Sequence, residues 1–176
     1  MSVITKKICL LGDFNVGKTS LIRRFVEDKF SDRYLSTVGV KVSRKSLEVK
    51  AESNIYLLNL LIWDLEGNTK FKSITPSYLK GASGAIIVAD LFRTNTLSAI
   101  GKHIDLFLSV NPQGSIAIAL NKADLVPQEK LDKLIELHSF YEQKQVLKAY
   151  STSAKTGANV PNLFTTLSQS LIESQF

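Results

Sequence analysis

Several features are scarce or missing in this chain. Cys9 is the single cysteine and lies in an apolar stretch, which excludes a disulfide framework and favours a reducing compartment. No apolar run is long enough to span a membrane, and residues 1–7 lack the pattern of a signal peptide. The net charge is +6, but the basic residues are scattered in pairs without interleaved aromatics, so we expect no nucleic-acid partner. We therefore expect one domain over residues 1–176, monomeric and cytoplasmic.

The chain also lacks lipid-attachment signals. Residues 162–176 contain no cysteine for prenylation, and no glycine follows Met1 for myristoylation. We expect no lipid anchor in this chain. The excess of positive charge favours at most a weak, peripheral contact with anionic lipid or acidic partners.

Residues 12–19 read G-D-F-N-V-G-K-T, which fits the pattern G-x-x-x-x-G-K-[ST]. The apolar residues 8–11 before it predict a buried strand, and the amphipathic residues 21–26 after it predict a helix. This arrangement predicts a phosphate-binding loop, because glycines let backbone N–H groups approach phosphate oxygens and the helix N-terminus adds partial positive charge. Lys18 is expected between the terminal phosphates, and the Thr19 hydroxyl is expected to ligate Mg²⁺.

Apolar strands and amphipathic helices alternate along the rest of the chain, which predicts a parallel α/β sheet covered on both faces. Residues 38–49 and 55–63 are joined by a connection too short for a crossover helix, so we expect them to pair antiparallel. A polar segment, residues 65–77, should be partly helical and broken at Pro76. Further strands are expected at residues 84–90, 115–120 and 146–150, and further helices near residues 97–108, 131–137 and 163–172.

Three more polar segments follow predicted strands, at the edge where such sheets bind ligands. In the first, Asp64 is suited to hold Mg²⁺, and the N–H of Gly67 could reach a γ-phosphate. The second, N-K-A-D at residues 121–124, offers a carboxylate that accepts hydrogen bonds from guanine N1 and its exocyclic amino group, a pair of donors that adenine lacks. In the third, residues 153–155, a backbone N–H could meet the guanine oxygen.

With these motifs in this order, the chain resembles the Ras superfamily of small GTPases, and the Rab family most closely, over nearly its whole length. Rab-like stretches lie at residues 12–13, 19–25, 37–40, 47–49, 74–78 and 81–82. The resemblance implies a doubly wound P-loop G domain: a six-stranded, mostly parallel sheet with one antiparallel edge strand and about five helices. It also implies a molecular switch that binds GTP or GDP with Mg²⁺ and hydrolyses GTP.

The resemblance assigns residues to each part of that site. The metal ligands would be Thr19, Thr37 and Asp64. The nucleotide-binding residues would be Asp13, Phe14, Asn15, Val16, Gly17, Lys18, Thr19, Ser20, Phe30, Thr37, Gly67, Asn121, Lys122, Asp124, Ser153, Ala154 and Lys155. Phe30 would stack on the guanine, and Thr37 would ligate Mg²⁺ only while the γ-phosphate is present. Effectors, exchange factors and activating proteins would then recognise two switch segments, at about residues 30–42 and 64–80.

Three positions depart from the family pattern near the γ-phosphate. Asn68 replaces the glutamine that orients the attacking water, and it reaches one methylene less. Glu66 replaces a small alanine; its carboxylate would repel the γ-phosphate, point outward, or take over water positioning. Phe14 replaces a small residue and should crowd the water-orienting side chain and any arginine finger. We therefore predict intact binding with slow hydrolysis and a poor response to activating proteins, with Lys18, Asn68 and Glu66 as the catalytic candidates.

Alternatives to a slow GTPase remain. The switches could rearrange so that Asn68 or Glu66 compensates for the missing glutamine. The chain could instead be a non-hydrolysing guanine-nucleotide-binding module, or a P-loop kinase that uses ATP, although the N-K-A-D segment and the lack of a lid segment argue against the kinase. Both histidines, His103 and His138, lie in predicted helices without other candidate ligands nearby, so we interpret them as surface or satisfied helix residues.

Overall fold

The structure is a computed structural model that describes residues 2–33, 36–51, 54–67, 75–139 and 141–175. Within these residues, six strands form one sheet in the order β2-β3-β1-β4-β5-β6. The strands are β1 Ser2–Leu11, β2 Val40–Ala51, β3 Asn54–Leu65, β4 Gly84–Asp90, β5 Ser115–Asn121 and β6 Val146–Ser151. Only β2 and β3 pair antiparallel, and every other neighbouring pair is parallel. The predicted mixed sheet with one antiparallel edge strand is confirmed.

The first strand is longer than its apolar run predicts. Residues 2–7 are exposed or half-buried, yet they pair in parallel with β3 from Ser2↔Tyr56 onward. The 12-residue strand β3 extends beyond the core and offers β1 backbone partners along its length. Backbone hydrogen bonding therefore sets this end of β1, and apolar periodicity alone could not show it.

The described helices are α1 Lys18–Glu27, α2 Thr75–Leu79, α3 Thr94–Ser98, α4 Ile100–Val110, α5 Gln128–Leu137 and α6 Val160–Glu173. Only Ala99, which is itself in helical conformation, separates α3 from α4, so we count the two as one interrupted helix, which gives five helices in the described residues. Pro76 lies one residue after the first described residue of α2. The predicted break of a helix at Pro76 stays a prediction, because residues 68–74 lie outside the described residues. No described helix has the length and apolar content needed to cross a bilayer.

The helices cover both faces of the sheet. Side chains of α1 and α6 pack on one face, where the rings of Phe25 and Phe164 stack with centroids 3.9 Å apart. Side chains of α2 to α5, among them Phe107, pack on the other face. Every residue of the central strands β4 and β5 is buried, so their last residues, Asp90 and Asn121, reach the edge of the sheet as buried polar groups. This edge carries the candidate site.

Candidate functional site

A cavity of about 410 Å³ opens at the carboxyl edge of the sheet. It is lined by most of the predicted nucleotide-binding residues, namely Phe14, Asn15, Gly17, Lys18, Thr19, Ser20, Phe30, Thr37, Gly67, Asn121, Lys122, Asp124, Ala154 and Lys155. Residues not predicted from the sequence also line it, namely Arg23, Ser31, Asp32, Arg33, Leu65 and Leu125. The structure thus brings five separate sequence segments to one cavity: residues 14–23, 30–37, 65–67, 121–125 and 154–155.

The remaining predicted residues lie around this cavity. Val16 and Ser153 are buried behind its wall. Asp13 and Glu66 line a second cavity on the other side of the phosphate-binding loop. Asn68, the predicted water-orienting residue, lies outside the described residues.

The phosphate-binding loop is held by side chains at successive backbone positions. Each carbonyl from residue 12 to residue 16 accepts a hydrogen bond from a side chain. These bonds are Lys18 to Gly12 O and Asp13 O (both 2.9 Å), Arg93 to Phe14 O (2.7 Å), Lys122 to Asn15 O (2.8 Å) and Asn121 to Val16 O (3.0 Å). These contacts hold the loop in the conformation that the structure shows.

Two glycines are required by close contacts with this loop. A Cβ atom on Gly67 would lie 2.7 Å from both Lys18 Nζ and the Phe14 backbone nitrogen, so the segment after β3 can approach the loop only with glycine there. Gly17 has a φ of +102°, and its Cβ would lie 2.3 Å from Asn121 Nδ2. A side chain at either position would therefore displace the residues that hold the loop.

Lys18 is buried, with 7% of its surface exposed. Burial lowers the pKa of Lys18 to about 8, although the carboxylates of Asp64 and Asp13 act in the opposite direction. The ammonium group donates to two loop carbonyls but has no ion-pair partner within 4 Å among the described residues. An anionic ligand in the loop would therefore stabilise the charged form of Lys18.

Thr19, Thr37 and Asp64 meet at one point, as a shared metal site requires. The Oγ1 atoms of Thr19 and Thr37 are 2.7 Å apart, and both hydroxyls donate to Asp64 Oδ2, that of Thr37 over 3.3 Å. The other carboxylate oxygen, Asp64 Oδ1, is buried and has no hydrogen-bond partner in the described part of the chain. Burial raises the pKa of Asp64 against the opposing hydrogen bond from Thr19. A hard cation that prefers oxygen ligands, such as Mg²⁺, fits this group.

The opposite end of the cavity contains the N-K-A-D segment. Asp124 Oδ1 accepts a hydrogen bond of 2.6 Å from Ser153 Oγ, while the Asp124 residue itself stays exposed to the cavity. Asn121 Oδ1 accepts from Thr152 Oγ1 (3.2 Å) and from the Ala154 backbone N–H (3.3 Å). The carboxylate of Asp124 is thus oriented from behind and open in front, which suits recognition of paired donors on a planar base.

The arrangement of this site agrees with a match of the chain to a known protein family. The family model of the Ras family matches residues 7–173. The chain belongs to the Ras family.

Individual relatives of this Ras-family protein carry Rab-type names. It is 34% identical over 169 residues to GTP-binding protein ypt5 of Schizosaccharomyces pombe, which covers 96% of this chain and 78% of that protein. It is 36% identical over 162 residues to Ras-related protein RABF2a of Arabidopsis thaliana, with 92% and 78% covered. It is 32% identical over 176 residues to Ras-related protein Rab-22A of Homo sapiens, with 96% and 84% covered.

Within this Ras-family site, Glu66 bonds to the segment before β2. Its Oε2 accepts a hydrogen bond of 2.7 Å from the Gly39 N–H, and its own N–H donates to Gly39 O over 2.9 Å. Glu66 therefore joins the segment after β3 to the segment before β2. Its role toward a γ-phosphate stays a prediction.

Sequence reasoning missed four residues that hold the site in place. His103 is a satisfied helix residue, as interpreted, but its partner is in the phosphate-binding loop: Nε2 lies 3.0 Å from Asp13 Oδ1. Burial lowers the pKa of His103, against the opposing effect of the Asp13 hydrogen bond. The others are Arg24, which donates to Ala154 O (2.8 Å) and Lys155 O (2.6 Å), Thr152 behind Asn121, and Arg93. No local pattern identifies His103 and Arg93, since both contact the phosphate-binding loop from a distant part of the chain.

Proposed function

We propose that this Ras-family chain, a small GTP-binding switch protein, binds GTP and GDP with Mg²⁺ in the 410 Å³ cavity and hydrolyses GTP slowly. One observation carries the proposal: the phosphate-binding loop, the two hydroxyl groups that bind Asp64 (Thr19 and Thr37) and the open carboxylate of Asp124 border a single cavity. These three groups correspond to the phosphates, the Mg²⁺ ion and the base of a bound guanine nucleotide. The Ras family supplies the GTPase reaction class.

Each portion of the nucleotide would have its own residues. Asp124 would accept hydrogen bonds from guanine N1 and the amino group, and the half-buried Phe30 would contact the base. Lys18 and the backbone N–H groups of the loop would bind the phosphates. Thr19, Thr37 and Asp64 would hold Mg²⁺, which neutralises negative charge on the phosphates when bound.

Slow hydrolysis follows from what surrounds the end of the phosphate-binding loop. Phe14 lies at the mouth of the cavity with 44% of its surface exposed, where a small residue would leave room for a water-orienting group. One carboxylate oxygen of Glu66, Oε2, already accepts from the Gly39 N–H, so this oxygen is taken up by a contact between the two segments. Asn68 is the other side chain predicted to position water, and its amide reaches one methylene less than that of glutamine.

The switch itself would depend on the segments at about residues 30–42 and 64–80. Thr37 contacts the metal-binding group from the first segment, and Gly67 contacts the phosphate-binding loop from the second. A γ-phosphate would therefore bring both segments into their binding-competent arrangement, to be read by effector, exchange-factor and activating proteins. We propose that the protein works as a cytoplasmic monomer.

Single-turnover hydrolysis of GTP by the purified protein tests the slow rate. We compare the wild type with Phe14→Ser, and with Leu137→Ser as the control, because Leu137 is an exposed apolar residue on α5 outside the cavity. Phe14→Ser should hydrolyse GTP at least about tenfold faster, since removal of the ring restores space for water positioning. Leu137→Ser should match the wild type. An unchanged rate in Phe14→Ser would show that the ring does not limit hydrolysis.

A second candidate is a guanine-nucleotide-binding module that does not hydrolyse GTP, which the bond between Glu66 and Gly39 favours because it ties up one oxygen of that carboxylate. Chromatography of the nucleotide that co-purifies with the protein separates the two. Mostly GDP supports a working GTPase, and mostly GTP supports the non-hydrolysing module.

A further inference from the structure

The last residue of β4, Asp90, is a buried carboxylate that holds two cations. Its Oδ2 lies 3.0 Å from Arg93 Nε and 2.8 Å from Lys122 Nζ, and 3% of its side chain is exposed. Burial by itself would raise the pKa of Asp90, but hydrogen bonds from Lys122, the Phe92 N–H and Arg93 bring it below its usual value. A carboxylate that stays ionised in this position fixes both cations.

A tight turn directs the Arg93 side chain back over the end of the sheet. Asp90 Oδ1 accepts from the Phe92 N–H (2.9 Å), and the Arg93 N–H donates to Asp90 O (3.0 Å). Thr96 Oγ1 then donates to Arg93 O over 2.7 Å at the start of α3. The backbone of Arg93 is therefore fixed on both sides. The bond from its Nε to Asp90 then limits the positions that the guanidinium group can take.

From there Arg93 reaches the phosphate-binding loop. Its Nη2 donates to Phe14 O over 2.7 Å while its Nε stays on Asp90. A planar trans peptide carries its N–H on the side opposite to its carbonyl oxygen. The bond that holds Phe14 O therefore also directs the Asn15 N–H to the opposite side, and Asn15 itself has a φ of +61° that a free loop would rarely keep.

We propose that Arg93 is a positioning residue for nucleotide binding: anchored on Asp90, it fixes the Phe14–Asn15 peptide so that the Asn15 N–H faces the phosphates. This inference rests on the proposed function, because it needs phosphates in the loop. Lys122, which belongs to the N-K-A-D segment, also binds the Asp90 carboxylate. Its ammonium group donates to the next carbonyl of the loop, Asn15 O. One carboxylate thus positions two successive peptides of the loop through two cations.

The chemistry of arginine suits this role better than that of lysine. The rigid guanidinium presents several N–H donors in one plane, so it binds a carboxylate and a carbonyl at the same time in fixed geometry. A lysine ammonium is a point charge on a flexible stem. Because 36% of the Arg93 side chain is exposed, solvent weakens its contribution, and we expect a moderate effect on nucleotide retention.

The test uses the whole chain with bound GDP. Arg93→Met keeps an apolar side chain of similar length but loses the contacts to Asp90 and Phe14 O. Arg93→Lys keeps a positive charge beside Asp90, so the buried carboxylate stays paired and the fold is preserved. The control is Arg44→Met, which removes the same charge from an exposed position on β2 outside both cavities. Two quantities are measured: the dissociation rate of fluorescently labelled GDP, and the amide proton shift of Asn15 in the ¹H–¹⁵N spectrum of the GDP complex.

We expect Arg93→Met to release GDP about tenfold faster than the wild type, and Arg93→Lys at least about threefold faster. The Asn15 amide proton should move upfield in both, because its hydrogen bond to phosphate lengthens. Arg44→Met should leave both quantities unchanged.

Wild-type GDP release with an unchanged Asn15 amide in both Arg93 variants would overturn this inference and leave the proposed function intact. Failure of the wild type to retain GDP would overturn the proposed function and this inference with it.

Discussion

The two ends of the cavity differ in how their side chains are held. At the base end, Asn121 and Asp124 each accept hydrogen bonds from the segment after β6, and Asn121 also binds the phosphate-binding loop. At the γ-phosphate end, Glu66 bonds to Gly39, and Phe14 lies at the cavity mouth. The base end is built to hold one arrangement. The γ-phosphate end joins segments that must change their arrangement in a switch.

From this difference we predict that nucleotide affinity and the rate of GTP hydrolysis depend on separate parts of the molecule. A well-supported base end lets the protein keep a nucleotide, whatever happens at the other end. Substitutions at the γ-phosphate end then alter the rate of hydrolysis without loss of binding. The following experiments try to break this separation.

The largest effect is expected at Asp124. Asp124→Ala should weaken GDP binding by at least about a hundredfold, because two donors on guanine lose a charged acceptor. The matched variant Ser153→Ala removes only the hydroxyl that orients Asp124, and it should cost less than about fivefold. Competition of GDP and ADP against labelled GDP measures both. If the preference for GDP over ADP survives in Asp124→Ala, the base end does not select guanine.

Lys18 lies on the boundary between the two ends, and its titration should report ligand binding. The pKa of Lys18 is lowered to about 8 by burial, so above that pH the unliganded protein holds it neutral. Phosphates favour the charged form, so GDP binding should take up roughly three quarters of a proton at pH 8.5 and almost none at pH 7. Affinity for GDP should accordingly fall as the pH rises above about 8. Calorimetry in two buffers with different ionisation enthalpies measures the uptake; equal, negligible uptake at both pH values would contradict it.

The smallest effect is expected at Glu66 and confined to the γ-phosphate end. Glu66→Ala removes the side-chain acceptor of the Gly39 N–H and should speed hydrogen exchange of that amide by about fivefold, which corresponds to about 1 kcal/mol. Glu66→Gln keeps an acceptor oxygen and should exchange like the wild type. Affinity for GDP should not change in either variant. A loss of GDP affinity in Glu66→Ala would show that the two ends are energetically linked through the switch segments.

The same division explains what the sequence could predict. The phosphate-binding loop and the N-K-A-D segment each have their site residues adjacent in the chain after a buried strand, so spacing alone located them. The position of Glu66 could not be predicted, because its partner Gly39 is far along the chain and the sequence allowed several orientations. His103 and Arg93 were missed for the same reason: each contacts the loop through the tertiary fold, from positions that no motif marks. The interruption between α3 and α4 at Ala99 also has no sequence signal, since the helical spacing of apolar residues continues across it.

The two ion pairs of Asp90 have one further consequence, which concerns the binding free energies of the separate portions of a nucleotide. Through Arg93 and Lys122, one carboxylate supports both the peptide units that face the phosphates and the start of the segment that faces the base. Ordering either region with a fragment of the ligand would order the other at no further entropic cost. A guanine nucleotide should therefore bind more tightly than the separate affinities of its nucleoside and its pyrophosphate portion imply. The ion pairs of Asp90 thus connect the two binding regions in the protein, as covalent bonds connect the base and the phosphates in the nucleotide.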